Sequence, residues 1–317
     1  MNRILSLSKN ADRIDIVFDM YHDNSIKAEK RLRRMRTDPI NMTISSNMTA
    51  LPKDMDASWA SVHIKNQLQK FFKAHIIQNK DRLDRITVYL SDVIDEKAIK
   101  LKNGQVIEVP QLSSTLEEAD ERLFIHVNHA VKETHAENLL ITSSDTDVFV
   151  CAVHFYNRVF KANGLKELWT LSGKGQTTRY IPVHDLCEIV NKEIIEVLPA
   201  IHSLSGCDTT SKVGTKHGAL ARAKDFTYLI KDFGRVEMSD SMIENAEEYL
   251  IRVLAKEFTK IDDLRSFKYH RMKHLDFTKL PPTSTSLILY IKRAYLQANR
   301  WYSILNDSEC FQNPENF

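Results

Sequence analysis

Apolar positions in this chain fall into two rhythms: short unbroken runs bounded by polar residues, and longer stretches where they recur every three or four positions. The short runs predict strands over residues 14–18, 86–90, 139–142 and 167–171. Residues 97–109 read as a β-hairpin, because Asn103-Gly104 sits between two alternating segments. The segment SGKGQTTRYIPV after the fourth run has the form of a turn and a return strand. The second rhythm predicts a helix over 58–78, with Trp59, Val62, Leu68, Phe71, Phe72 and Ile76 as its apolar stripe. Another follows Ser114–Glu117 or Thr115–Glu118, both with capping-box spacing, and carries Leu116, Ala119, Leu123, Val127, Ala130 and Val131 on one face. Residues 184–204 form the next, which Pro199 should bend. From about Val236 onward only helical patterns occur, over 242–258, 261–272 and 284–305, the last of them after the Pro281-Pro282 break.

Strands alternating with helices place the chain in the α/β class. The run Leu139–Thr142 is apolar on both faces, which predicts a central strand covered on each side. It leads into Ser143, Ser144, Asp145 and Asp147 ahead of a second apolar run. In open α/β sheets ligands bind beyond the carboxyl ends of the strands, so two carboxylates there point to a cation or phosphate site. The structural alternative is that Ser144 or Asp145 caps the following helix. The first strand likewise delivers Asp19 at its end.

Composition narrows the picture. With 317 residues, 43% hydrophobic and 27% charged, the chain is that of a globular protein of one or two domains. Its net charge of +2 says nothing about nucleic acid, so only local clusters can. One such cluster follows Asp19: Lys27, Lys30, Arg31, Arg33, Arg34 and Arg36, on a helix that Asn24 or Ser25 would cap. The four cysteines have no metal-type spacing and read as reduced thiols, and there is no signal-like or membrane-length apolar segment. The expected location is therefore intracellular, nuclear or cytoplasmic, with no secretion and no membrane partner. Gly214 and Gly218 stand around Lys216, with Lys212 just before them, at a helix start suited to phosphate; Gly173-Lys174-Gly175 lacks phosphate-loop spacing. His126 and His129, one turn apart, read as packing or surface residues before metal ligands.

Taken in order, the acids are Asp19, then Glu118 and Asp120 beside Glu117 at a helix start, then Asp145 and Asp147, then Asp208 in Gly206-Cys207-Asp208, and the set that forms the pattern is Asp19, Glu118-Ala119-Asp120, Asp145-Thr146-Asp147 and Asp208. This order resembles the flap-endonuclease branch of the PIN-like nucleases: an aspartate ending a strand before a basic helix, then E-A-E, then D-x-D, then G-x-D before a glycine-containing element. The phrases EEAD-R-L, DTDVFV, SGCDTTS and LPPTS resemble, across nearly the whole chain, transposon-associated animal proteins of uncharacterised role. The resemblance implies a three-layer PIN-like fold, a mostly parallel sheet flanked by helices, over residues 1–235, with a helical C-terminal region over 236–317. It implies a metal-dependent nuclease acting on DNA or RNA. Two Mg2+ or Mn2+ ions, about 4 Å apart, would hold the attacking water and the leaving oxygen. Asp120, Asp145, Asp147 and Asp208 would be the catalytic, metal-proximal residues, supported by Glu118 and Asp19. Lys27, Lys30, Arg31, Arg33, Arg34, Lys212 and Lys216 would contact nucleic acid. The family's earlier aspartate-ended strand has no counterpart ahead of Asp19, which implies a truncated first strand. The competing expectation is therefore an inactive PIN-like module that binds nucleic acid or protein.

Overall fold

The computed structural model describes residues 6, 11–20, 42–44, 49–50, 58–59, 61–83, 85–173, 175–211, 224–255, 257–271, 277 and 280–306. Lys27, Lys30, Arg31, Arg33, Arg34, Arg36, Lys174, Lys212 and Lys216 lie outside the described residues. The chain divides into two compact units, Met1–His129 and Ala130–Phe317, and each is treated by itself. Among the described residues there are eight α-helices and two small mixed sheets, and no helix is long and apolar enough to cross a membrane.

The first unit holds β1 (Arg13–Ile16), α1 (Val62–Gln78), β2 (Thr87–Leu90), β3 (Ile99–Lys102) and β4 (Gln105–Glu108). It also holds most of α2 (Ala119–Thr134). The sheet order is β1-β2-β3-β4, with β1 parallel to β2 and the other pairings antiparallel. The hairpin forms where Asn103-Gly104 places it: Asn103 (φ 50°) and Gly104 (φ 69°) both occupy the left-handed region, and Lys102 pairs with Gln105. β2 is covered on both faces. Val88 and Leu90 pack with Ile76, Leu83, Ile99 and Leu101, while Tyr89 packs with Ala98, Val109 and Leu112 on the other side. Helix α1 departs from its expected stripe. Trp59 and Phe72 are exposed, and the buried positions are Ile64, Lys73 and Ile76. Lys73 is buried because its Nζ reaches the carbonyl of Lys97 at 2.5 Å and Glu96 at 3.6 Å. Burial lowers its pKa against the pull of Glu96.

The second unit contains β5 (Asn138–Thr142), α3 (Thr146–Phe155), β6 (Glu167–Ser172), β7 (Arg179–Pro182), α4 (Val183–Ile189) and α5 (Lys192–Ser205). Helices α6 (Asp240–Leu254), α7 (Ile261–Arg271) and α8 (Ser284–Ser303) complete it. β5 runs parallel to β6 and β6 antiparallel to β7. The mostly parallel sheet expected from sequence is thus two small mixed sheets among the described residues. Tight connections such as the β3–β4 turn return a strand antiparallel, whereas a parallel partner needs a long crossover. β5 lies at the edge of its sheet with Leu140 49% exposed, not at the centre of a doubly covered one.

The core of this unit is helical. Val197, Ile201 and Leu204 of α5 meet Tyr249, Leu250 and Val253 of α6 and Leu287, Ile291 and Ala294 of α8. Each fully buried aliphatic chain contributes about 1.5–3 kcal/mol. The expected 184–204 helix breaks at Val190 rather than at Pro199. Val190 is extended, and Asn191 starts α5 by accepting from the Glu193 N–H at 2.7 Å. Pro199 sits inside α5. Its missing N–H leaves the Ile195 carbonyl without a helical donor, and His154 Nδ1 lies 3.4 Å from that oxygen.

Candidate functional site

In the first unit the candidate acids are placed by the ends of β1 and β2. Beyond β1, the Phe18 N–H donates to Ser91 Oγ at 2.9 Å, and the Ser91 N–H donates to Ile16 O at 3.0 Å. Arg122 of α2 closes this junction. Its guanidinium is 1% exposed, donates to the Asp92 carbonyl at 2.9 Å, and contacts the Asp92 carboxylate and the Phe18 carbonyl. Burial pulls its pKa down to about 10, with the Asp19 charge opposing.

Asp19 then meets the start of α2. Its Oδ1 accepts from the Ala119 N–H at 2.8 Å, and the Met20 N–H donates to Glu117 O at 2.6 Å. The expected capping box therefore does not start this helix. Ser114 Oγ takes the Leu116 N–H at 3.1 Å instead, and the helix begins later, at a carboxylate supplied from far away in sequence. Glu117, Glu118 and Asp120 are half-buried in the same turn, where the helix dipole favours negative charge. A cavity of about 390 Å³ opens beside Met20, Asp92, Asp95, Glu96 and Ser113.

Asp15, within β1, is the centre of a second cluster. Arg13 grips it through Nε at 2.7 Å and Nη2 at 2.8 Å, and His126 Nδ1 donates to it at 2.7 Å. Burial raises the Asp15 pKa, but these partners outweigh burial and hold it below the usual carboxylate value of 3.8. His129 Nδ1 takes Arg13 Nη1 at 3.1 Å, so the two histidines face a carboxylate and a guanidinium rather than one shared point. His126 Nε2 is buried with no hydrogen-bond partner among the described residues.

In the second unit, β5 ends at Thr142. The Asp145 N–H donates to Ser143 Oγ at 3.1 Å, and Asp145 caps α3 by accepting from the Asp147 N–H at 2.9 Å. The capping alternative for Asp145 is thus realised. Asp147 points elsewhere: its Oδ1 accepts from Nε2 of His202, on α5, at 2.7 Å. The His202 ring is 5% exposed and stacks on Trp301 of α8 with centroids 5.4 Å apart and an interplanar angle of 23°.

Just past His202, α5 ends at Gly206, whose φ of 102° is open to glycine and costly for other residues. The following phrase is tied down by its threonines. Thr210 Oγ1 accepts from the Cys207 N–H and donates to Ser203 O, each at 2.9 Å. Thr209 Oγ1 donates to Gln297 Oε1 at 2.7 Å, and Tyr290 OH donates to Leu204 O at 2.7 Å. Asp208 is exposed on the resulting turn. Cys151, Cys187 and Cys207 are free thiols, and burial pushes the Cys187 thiol up to about 11, which keeps it protonated.

No family model, curated protein or solved structure matches the chain.

The first unit therefore brings Asp19 to the turn that holds Glu117, Glu118 and Asp120, and the second joins Asp145 to Asp147. Among the described residues no group of three or more His, Cys, Asp or Glu side chains could hold a metal ion. Sequence reasoning missed Arg122, Asp15 and His202. Arg122 was visible as the arginine of EEADERL, but nothing local marks it as buried. His202 looks like one polar residue on an otherwise apolar helix end, and only tertiary packing reveals its partner.

Proposed function

We propose that the chain is a metal-dependent nuclease of the three-layer PIN-like, flap-endonuclease-related class, hydrolysing phosphodiester bonds of DNA or RNA. The observation that carries this reading is the placement of aspartates. Asp19 beyond β1 and Asp145 beyond β5 both follow a strand with a parallel neighbour, and each accepts a backbone N–H at the start of a helix. That is where α/β proteins bind phosphorylated ligands. The donor set fits hard divalent ions, because carboxylate oxygens suit Mg2+ and Mn2+ and neither cysteine nor a histidine pair competes. In the second unit Asp147 and Asp208 would be the ligands, with Asp145 placing Asp147. Bound Mg2+ or Mn2+ would supply charge neutralisation and an activated water. His202 fixes one Asp147 oxygen and so presets the direction of the other.

A second reading is favoured by the same contacts. Asp19 and Asp145 are satisfied as helix caps, and Asp147 has a histidine partner, as an inactive PIN-like module would require. Manganese-dependent cleavage of branched and single-stranded oligonucleotides, compared with the Asp145→Asn, Asp147→Asn double variant, decides between them. Cleavage by the parent that disappears in the folded double variant supports the nuclease. No cleavage by the parent, or equal cleavage by both, rejects it.

A further inference from the structure

Helix α7 is divided by charge along its length. Its first turn holds Asp262 and Asp263, and Asp262 is engaged by Ser284, accepting from Oγ at 2.8 Å and from N–H at 3.1 Å. From Leu264 to Arg271 there is no acid, and Arg265, Lys268, His270 and Arg271 follow in close succession. Arg265 is committed to the protein through the Pro281 carbonyl. Lys268 is half-buried, and His270 and Arg271 are exposed.

The same half of the helix, with Phe277 beyond its end, exposes aromatic rings. Ile261 and Leu264 anchor α7 in the core, but Phe267, Tyr269 and Phe277 are 37%, 42% and 60% exposed. Such a patch of large rings on a surface marks an interaction site more often than a packing defect. The rings are ordered relative to one another and to the cations. Tyr269 and Phe277 lie nearly parallel, 19° apart in plane with centroids at 6.3 Å. The Arg271 guanidinium sits 4.2 Å from the Phe267 centroid, and His270 meets Tyr269 edge-on at 5.6 Å.

Flat exposed rings interleaved with cations match a polyanion that carries flat bases. We propose that this face of α7, together with Phe277 beyond its end, binds single-stranded nucleic acid, with bases stacking on Tyr269 and Phe277 and phosphates running past Lys268 and Arg271. Single strands are specified over duplex because a paired base hides its π-face inside the stack. The inference rests on the nucleic-acid partner of the proposed function and names its form, but it does not require cleavage.

The test is anisotropy titration of the full chain with a labelled thymidine oligonucleotide and with a blunt duplex of equal length. EDTA is present to stop metal-dependent cleavage, and several salt concentrations are used. The parent should bind the single strand more tightly than the duplex. Tyr269→Ala with Phe277→Ala should weaken single-strand binding by about tenfold or more with the salt slope retained, while Tyr269→Phe should restore most of it. Lys268→Ala with Arg271→Ala should instead flatten the salt slope by about one to one and a half. Failure of the parent to bind, preference for duplex, or indifference to both pairs of substitutions overturns the proposal. If binding follows this pattern but manganese cleavage is absent, the nuclease reading fails alone. If cleavage persists while the aromatic variants bind normally, the α7 assignment fails alone.

Discussion

The two units bury different kinds of polar group. The first keeps full charges inside: Lys73, Asp92, Glu121 and Arg122 are all buried there. Among the described residues of the second, the buried polar side chains are histidine, serine and threonine, led by His154 and His202. A buried guanidinium stays cationic at any ordinary pH, so the first unit depends on keeping its partners in place. In the second unit burial holds the His154 imidazole pKa down to about 4, so its helical core is exposed to a fall in pH.

The largest expected effect tests the first half of this contrast. Arg122→Met removes the guanidinium from the Asp92 carboxylate and from the Asp92 and Phe18 carbonyls, leaving a buried carboxylate without its charge partner at a cost of about 3–5 kcal/mol. Urea unfolding should show it, and hydrogen exchange should place the loss at the ends of β1 and β2. An unchanged midpoint would mean that Arg122 is not the lock.

The next effect concerns pH. Burial holds the His154 pKa down to about 4 from its ordinary 6.5, so the unfolded chain binds the proton more readily than the folded one. Stability from this group is complete above pH 6.5 and drains away as pH falls toward about 4, in total roughly 3 kcal/mol. Asp15, with a depressed carboxyl pKa, begins to cost the first unit only as pH drops below its unfolded value of 3.8. Between pH 7 and pH 5 exchange should therefore quicken around α3 and α5 before it quickens around β1. His154→Phe should remove that pH dependence, and equal acceleration in both units would break the comparison.

The smallest effect sharpens it. His202→Ala should cost about 1–3 kcal/mol by orphaning Asp147, whereas His202→Gln, which still offers an N–H, should recover part of it. Thermal melts of the three proteins give the ranking, and identical melting temperatures would show that the 2.7 Å contact contributes nothing.

What could be foreseen from the sequence was local. Asn103-Gly104 forced its hairpin through backbone conformation alone, and the Asp145 cap and the Pro281-Pro282 break also act within a few residues. The longer-range features were hidden. Ser114 and Thr115 had the right spacing for a cap but lost to Asp19, because spacing cannot report a carboxylate arriving from another strand. Pro199 looked like a breaker, yet the break fell at Val190, since His154 compensates the proline and the Asn191 side chain offers a better start. Of the candidate site, the residue types and their positions at element ends were legible. The partners that orient them were not, because Arg122, His126 and His202 are recognised only by what surrounds them.

The bond from the Ala119 N–H to Asp19 spans 100 positions of chain. During synthesis Asp19 leaves the ribosome long before its acceptor role can be filled, and the α2 segment emerges with its first turn unfinished. The N-terminal strand must wait for its helix, so a chain released before α2 is made would leave the Asp19 carboxylate without this donor. A domain wired this way matures late and all at once, since neither element is complete without a residue made on the far side of the first sheet.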